Sequence, residues 1–341
     1  RDLRAELDTG RLEGVHHEAP GVEFGAEVTI GEQHGHEGIP ITARGCDEAP
    51  TLPPWKVTHI TTPGGEIIMG RLDGKVAFIT GAARGQGRSH AVRLAQEGCD
   101  IIAVDICEQM PEVSYPMSTQ EDLDETVSQV EALDRRIVAA KADVRDRDAL
   151  RDAVDTGVAE LGRLDIICAN AGIAAQSVEE DDPIAIYQAT IDVNLTGVRN
   201  TVHAAVDKII DGANGGSIII TSSTQGLTGR GGSGGSGADG YVAAKHGVVG
   251  LMRSWAHWLA PHMIRVNTIH PTGVSTPMVL NDTMQEFINA NPDMVNALQN
   301  LLPVELIEAV DLSNAVLFLA SDEGRYISGV TLPVDAGFCA R

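Results

Sequence analysis

The sequence predicts an α/β protein built on a doubly wound parallel sheet with helices on both faces. Three observations carry this expectation. Short unbroken apolar runs recur along the chain, among them KVAFIT at 75–80, DIIAV at 100–104, DIICA at 165–169 and SIIIT at 217–221. Strands buried on both faces read this way, whereas strands with one wet face alternate. Each run is followed by a stretch of helical spacing, and that alternation builds βαβ units. Several runs also end in Gly, Asp or Asn, the residues suited to the carboxyl edge of such a sheet, where ligands bind.

The chain divides at Met69, the first methionine of the 341 residues. Residues 1–68 are rich in Gly, Pro, Glu and His and show little periodicity. Two readings compete there. One is a small accessory domain with short strands at 21–30 and 56–60. The other, which we favour, is a poorly ordered extension upstream of a natural start at Met69. His16, His17, His34, His36 and His59 lack zinc-like spacing, so no metal site is expected.

Residues 69–341 read as one domain. After the strand at 75–80 a helix is predicted over 88–97, stopping at Gly98. A strand at 100–104 ends at Asp105, and 106–120 reads as loop. Helix follows at 121–133, strand at 137–142, helix at 147–161 and strand at 165–169. A long helix is expected over 183–210, with Pro183 in its first turn. Then come a strand at 217–221, a helix at 241–260 and a strand at 264–269. Helical lid material fills 277–302, a helix covers 308–320, and a last strand lies at 330–334. The stretch 226–240 (GLTGRGGSGGSGADG) looks like a linker, but it reads better as the mobile rim of a site.

Composition removes several functional classes. A formal net charge of −23 repels phosphate backbones and anionic lipid, which argues against nucleic-acid or membrane partners. No apolar run approaches the roughly 18 residues of a membrane span. Five cysteines, Cys46, Cys99, Cys107, Cys168 and Cys339, contain no CxxC pair. They suggest reduced thiols and a cytoplasmic compartment.

The cofactor signal is TGAARGQG at 80–87, between the first apolar run of the domain and its first helix. Gly81, Gly85 and Gly87 allow a tight turn and close backbone approach to a pyrophosphate at a helix N-terminus. That setting makes the fold Rossmann-type. Asp105 lies where a carboxylate binds adenosine ribose hydroxyls and repels a 2′-phosphate, so NAD is predicted over NADP. Arg84 is the counter-signal, because a basic residue in this turn can serve NADP. Asp143-Val144 and Asn170-Ala171-Gly172 also fall at carboxyl ends of strands. Their plainer readings are a helix cap and a turn.

The chemical signal is Tyr241-Val-Ala-Ala-Lys245, with Ser223 upstream. Residues four apart share a helix face, and an ammonium beside a phenol favours the phenolate. Tyr241 is thus a candidate acid/base for an alcohol oxygen, whereas YxxxK alone is a common pattern on amphipathic helices.

Together these pieces resemble the short-chain dehydrogenase/reductase family. They are TGAARGQG, Asp143-Val144, Asn170-Ala171-Gly172, Asn194 in VNLTG, Ser223 in TSS, YVAAK, and HPTGVSTPM at 270–278, and they occur in the family's order. Finer marks resemble the mycofactocin-associated group that includes carveol dehydrogenases: ARGQGRSHA, the DIC at 105–107 and the extended 106–135 segment.

The resemblance implies a catalytic set of Asn194, Ser223, Tyr241 and Lys245. In it Lys245 lowers the Tyr241 pKa and holds the nicotinamide ribose, Ser223 contacts the substrate oxygen, and Asn194 anchors a water beside Lys245. It also implies cofactor contacts from Arg84, Gln86, Ile106, Pro271, Gly273, Val274 and Thr276. Tightly held NAD reoxidised by an external redox partner, and a homo-oligomer through the helices at 183–210 and 241–260, are implied as well. The interval from Ser223 to Tyr241 exceeds the family's pattern, so the glycine loop must bulge outward. Met278, Met284, Phe287, Met294 and Leu298 suggest an apolar lid and a small hydrophobic alcohol or ketone substrate. An NADPH-dependent carbonyl or 3-oxoacyl reductase and a non-catalytic nucleotide sensor are the competing functions.

Overall fold

The computed structural model describes residues 60–62, 65–67, 70–176 and 181–341. The expectations for residues 1–59, including the five histidines, lie outside the described residues. Within the stretch read as an extension, β1 (Ile60–Thr62) pairs antiparallel with β2 (Gly65–Ile67).

The main sheet is made of β3 (Val76–Thr80), β4 (Asp100–Asp105), β5 (Ile137–Lys141), β6 (Ile166–Ala169), β7 (Gly216–Thr221), β8 (Ile264–Pro271) and β9 (Thr331–Val334). All pairings are parallel, in the order β5-β4-β3-β6-β7-β8-β9. The chain winds outward from β3 to β5, then returns to place β6 on the other side of β3. That reversal opens a crevice above the carboxyl ends of β3 and β6, where such folds bind ligands.

Successive strand residues feed opposite cores, as the pleat requires. Phe78, Ile102, Val104, Ile167 and Ile218 face one core, and Ala77, Ile79, Ile101, Ile166 and Ile219 the other. The first core is closed by α3 (Arg147–Leu161), α4 (Pro183–Ile191), α5 (Val198–Gly212) and α6 (Ser236–Leu259). The second is closed by α1 (Gly85–Ala95), α2 (Gln120–Glu131) and α9 (Ala309–Ala320).

Two features differ from the sequence expectation, and both bear on the site. The helix predicted over 183–210 is interrupted by a π-helical turn, Asp192–Gly197, between α4 and α5. Such turns concentrate at functional positions, and this one carries Asn194, which is fully buried. The other difference lies in the stretch 226–240. Thr224–Gly226 is a short 3₁₀ turn and α6 already begins at Ser236, so only the middle of the stretch is loop. The glycines of that first helical turn serve contact. A Cβ on Gly237 would lie 2.0 Å from the Ala175 carbonyl oxygen, so α6 can seat there only without a side chain.

The 277–302 region holds two short helices, α7 (Asp282–Ala290) and α8 (Pro292–Ala297). Phe287 is buried, Met278, Met284 and Leu298 are half-buried, and the Met294 side chain lies outside the described residues.

Candidate active site

A cavity opens over the β3–β6 crevice. Its wall includes Gly81, Arg84, Gly85, Gln86, Gly87, Asp105, Ile106, Asp143, Val144, Asn170, Ala171, Gly172 and Thr276, all singled out from sequence. Pro271, Gly273 and Val274 do not line it. Pro271 ends β8, and Val274 is buried and bridged to Ile307.

The N-terminus of α1 faces this cavity with unclaimed donors. Its cap, Arg84, makes no side-chain capping bond, and no acidic residue sits in the first turn. The turn is tight enough that a Cβ on Gly87 would fall 1.9 Å from the Gly81 carbonyl oxygen. Gln86 Oε1 is buried without a protein partner. Free amides at a positive helix end, backed by glycine, suit a pyrophosphate.

Asp105 is held in place. Its Oδ2 accepts from the Ala83 amide at 2.9 Å, and Oδ1 accepts from the Ser118 hydroxyl at 2.5 Å and the Cys107 amide at 3.2 Å. Cys107 takes a left-handed φ of 44° to reach it. The carboxylate is 6% exposed, so a 2′-phosphate there would meet a desolvated negative group.

The plainer readings of Asp143 and Asn170 both fail. Asp146, and not Asp143, caps α3. Asp143 instead grips Arg145, with 2.8 Å to Nε and 2.6 Å to Nη2. Asn170 donates to the Thr80 carbonyl at 3.1 Å and accepts from the Thr221 hydroxyl at 3.1 Å. It therefore ties the ends of β3, β6 and β7 together.

The segment 106–119 lies along the cavity, with Ile106, Met110, Tyr115, Met117 and Ser118 in its wall. Arg84 Nη2 donates to the Pro116 carbonyl at 2.6 Å, and the Tyr115 hydroxyl accepts from the Ala174 amide at 3.3 Å. Thr283 of α7 donates to the Ser114 carbonyl at 3.2 Å, joining α7 to the same segment. Tyr115 and Ser118 went unnoticed in the sequence. No periodicity marks them, because each acts through one long-range contact.

Beyond Gly172 the cavity meets the other group of residues. A Cβ there would lie 2.8 Å from Asn194 Oδ1 and 3.6 Å from Lys245 Nζ. Ser223 hydrogen-bonds the Tyr241 hydroxyl, so the glycine loop does bring the pair together. Lys245 Nζ lies 5.5 Å from the centroid of the Tyr241 ring and donates to the Thr221 carbonyl at 2.8 Å. The adjacent Ser222 faces away, with its hydroxyl on the Lys245 carbonyl at 2.9 Å. Asn194 is committed at both ends, accepting from the Ile173 amide at 2.9 Å and donating to its carbonyl at 2.8 Å. Each side-chain atom thus has one bond to Ile173, and a lone pair on Oδ1 and an N–H on Nδ2 are left over.

Electrostatics correct one expectation. Lys245 was expected to pull the Tyr241 phenol down, but burial pushes it above its ordinary value, with the Ser223 hydrogen bond acting the other way. Lys245 is itself 3% exposed, and desolvation lowers it to about 8. The same desolvation that lowers the amine works against the charged pair of ammonium and phenolate.

The profile of the short chain dehydrogenase family matches residues 75–286. The chain belongs to the short-chain dehydrogenase family. An uncharacterized oxidoreductase of Mycobacterium tuberculosis is 56% identical over 268 residues, covering 78% of this chain and 97% of that protein. The (−)-trans-carveol dehydrogenase of Rhodococcus erythropolis is 48% identical over 280 residues, covering 79% of this chain and 99% of its own. The crystal structure of carveol dehydrogenase from Mycobacterium avium in complex with NAD superposes with a TM-score of 0.73 at 54% identity, over 80% of this chain and all of that one. This short-chain dehydrogenase thus shares its fold with an NAD-bound relative.

Among the described residues no helix is long and apolar enough to cross a membrane, and no group of side chains forms a metal cluster.

Proposed function

We propose that this short-chain dehydrogenase interconverts a hydrophobic secondary alcohol and its ketone, with NAD as the hydride carrier. The observation that carries the reading is the meeting of Ser223, Tyr241 and Lys245 at the end of a phosphate-suited cradle. Bound NAD supplies the acceptor for the hydride leaving the carbinol carbon.

The chain's own residues do the rest. Ser223 donates a hydrogen bond to the substrate oxygen and orients it. Tyr241 takes the hydroxyl proton during oxidation and returns it during reduction. Lys245, one helical turn on, holds ribose hydroxyls and passes the proton outward. Asp105 holds the adenosine ribose. Segment 106–119 covers the cradle, which favours a slowly exchanging cofactor reoxidised by a separate mycofactocin-type partner. The apolar lid around Met278 and Phe287 selects a neutral substrate, and the name of the Rhodococcus relative points to cyclic terpenoid alcohols. We also propose a cytoplasmic homo-oligomer, for which exposed Tyr187 and Trp258 on α4 and α6 offer apolar surface.

A binding and turnover panel tests this. NAD should bind at least roughly tenfold more tightly than NADP, a difference of about 1.4 kcal/mol. Cyclic secondary alcohols such as (−)-trans-carveol and cyclohexanol should reduce it. A tenfold preference for NADPH, with ketone reduction only, would establish the carbonyl-reductase alternative instead.

A further inference from the structure

We propose that His270 is a positioning residue that fixes Ser223 for the substrate oxygen. This rests on the role given to Ser223 above. His270 stands near the carboxyl end of β8 and is fully buried. Its Nδ1 lies 2.7 Å from the Ser223 carbonyl oxygen, and its Nε2 lies 2.8 Å from the Thr268 hydroxyl.

These partners determine the proton positions. A carbonyl can only accept, so Nδ1 carries the hydrogen. Nε2 is then bare, and Thr268 donates to it. Burial lowers the His270 pKa to about 4, which keeps the ring neutral and this tautomer in place near neutral pH.

The position of this strut matters more than its strength. Pairing between β7 and β8 ends at Thr221 opposite Ile269. One further backbone bond follows, from the Ser222 amide to the Ile269 carbonyl at 2.9 Å. Ser223 lies beyond that ladder, in extended backbone with φ −167°, at the head of the 3₁₀ turn. The His270 side chain supplies the next link between the two strands, at the residue whose hydroxyl meets Tyr241. On the other side the Ser223 carbonyl also accepts from the Gly226 amide at 2.9 Å, and Ser223 Oγ accepts from the Gln225 amide at 3.1 Å. With its carbonyl held from β8 and its Oγ engaged by the Gln225 amide, Ser223 is fixed both at the backbone and at the side chain. A histidine serving only the core would bond any convenient group, whereas this one bonds the residue that aims at the substrate.

The test compares His270→Leu, His270→Asn, His270→Gln, Ser223→Ala and the double variant Ser223→Ala/His270→Leu. Each is assayed as the NAD-loaded full chain with the fastest cyclic alcohol of the panel above. His270→Leu is expected to lower kcat roughly 10- to 100-fold, the scale of a small misplacement of a reacting partner. KM and NAD occupancy should change little. The asparagine amide nitrogen takes the place of Nδ1 and should restore most of the rate, whereas glutamine, which presents its nitrogen near Nε2, should not. The double variant should be no slower than Ser223→Ala alone.

Leucine at the wild-type rate beside a slow Ser223→Ala would overturn the positioning role only. Effects of the two changes that multiply would overturn it as well. Ser223→Ala at the wild-type rate would remove the function given to the serine and the proposal with it. Should the leucine variant not fold, equal rates for asparagine and glutamine would overturn the proposal, and a fast asparagine with a slow glutamine would support it.

Discussion

Replacing Tyr241 by phenylalanine is expected to lower alcohol turnover roughly 10²- to 10⁴-fold, the usual worth of a positioned acid/base. NAD should stay bound and the melting temperature should hardly move. The substitution deletes one oxygen, which is hydrogen-bonded to Ser223, and leaves the ring against Lys245. Nothing in the cradle of α1 depends on it. The pH profile sharpens the prediction. Burial raises the Tyr241 phenol above its ordinary value, so the neutral form prevails near neutrality and suits ketone reduction. Oxidation needs the phenolate, so its rate in the parent protein should climb with pH. The phenylalanine variant should lack that climb. A variant of near-parental activity with the same pH limb would show that another group moves the proton.

Lys245→Met carries the second large effect, and it separates function from stability. Turnover should fall by roughly 10²-fold or more, because the amine that relays the proton is gone. Stability should move in a pH-dependent way. The Lys245 amine has its pKa lowered from 10.5 to about 8 by burial. Below about 8 both folded and unfolded chains are protonated, and the folded state carries the full cost of a desolvated ammonium. Between about 8 and 10.5 the unfolded chain holds a proton that the folded chain has released, so folded stability rises with pH. The parent protein should therefore gain on the methionine variant across that window, by on the order of 3 kcal/mol in total. Denaturant titrations of both proteins at several pH values measure this directly. A gap that stays constant with pH would mean that Lys245 is not desolvated as described.

Most of the fold was legible because a doubly covered parallel strand has a strong signature. The runs at 75–80, 165–169 and 217–221 each lie within a residue of β3, β6 and β7. Helix starts were less legible where glycine does two jobs. Gly85 and Gly87 look like helix breakers, yet they form the first turn of α1, because a phosphate cradle needs bare backbone there. Gly237 likewise disguised the start of α6, since its glycine answers to the Ala175 carbonyl and not to flexibility.

The candidate site was legible as a list of residues more than as a geometry. Local patterns marked Tyr241, Lys245, Gly81 and Asp105, because each role depends on a neighbour in sequence or on a strand end. Ser118, Tyr115 and His270 act through partners 13, 59 and 47 residues away. No local pattern encodes such contacts. The Tyr241 pKa was misjudged for a related reason. Helical spacing gives the distance to Lys245, but the desolvation of the phenol and of the amine, which governs the outcome, belongs to the folded state.

The most direct measurement follows the transferred hydrogen. The NAD-loaded protein is mixed with cyclic secondary alcohols deuterated at the carbinol carbon, (−)-trans-carveol among them, and the released cofactor is analysed by mass spectrometry after a single turnover. Deuterium should appear in the reduced nicotinamide and the ketone should form in equal amount. Reduced nicotinamide without the label, or no reduction by any alcohol of the set, would contradict hydride transfer from a secondary alcohol at this site.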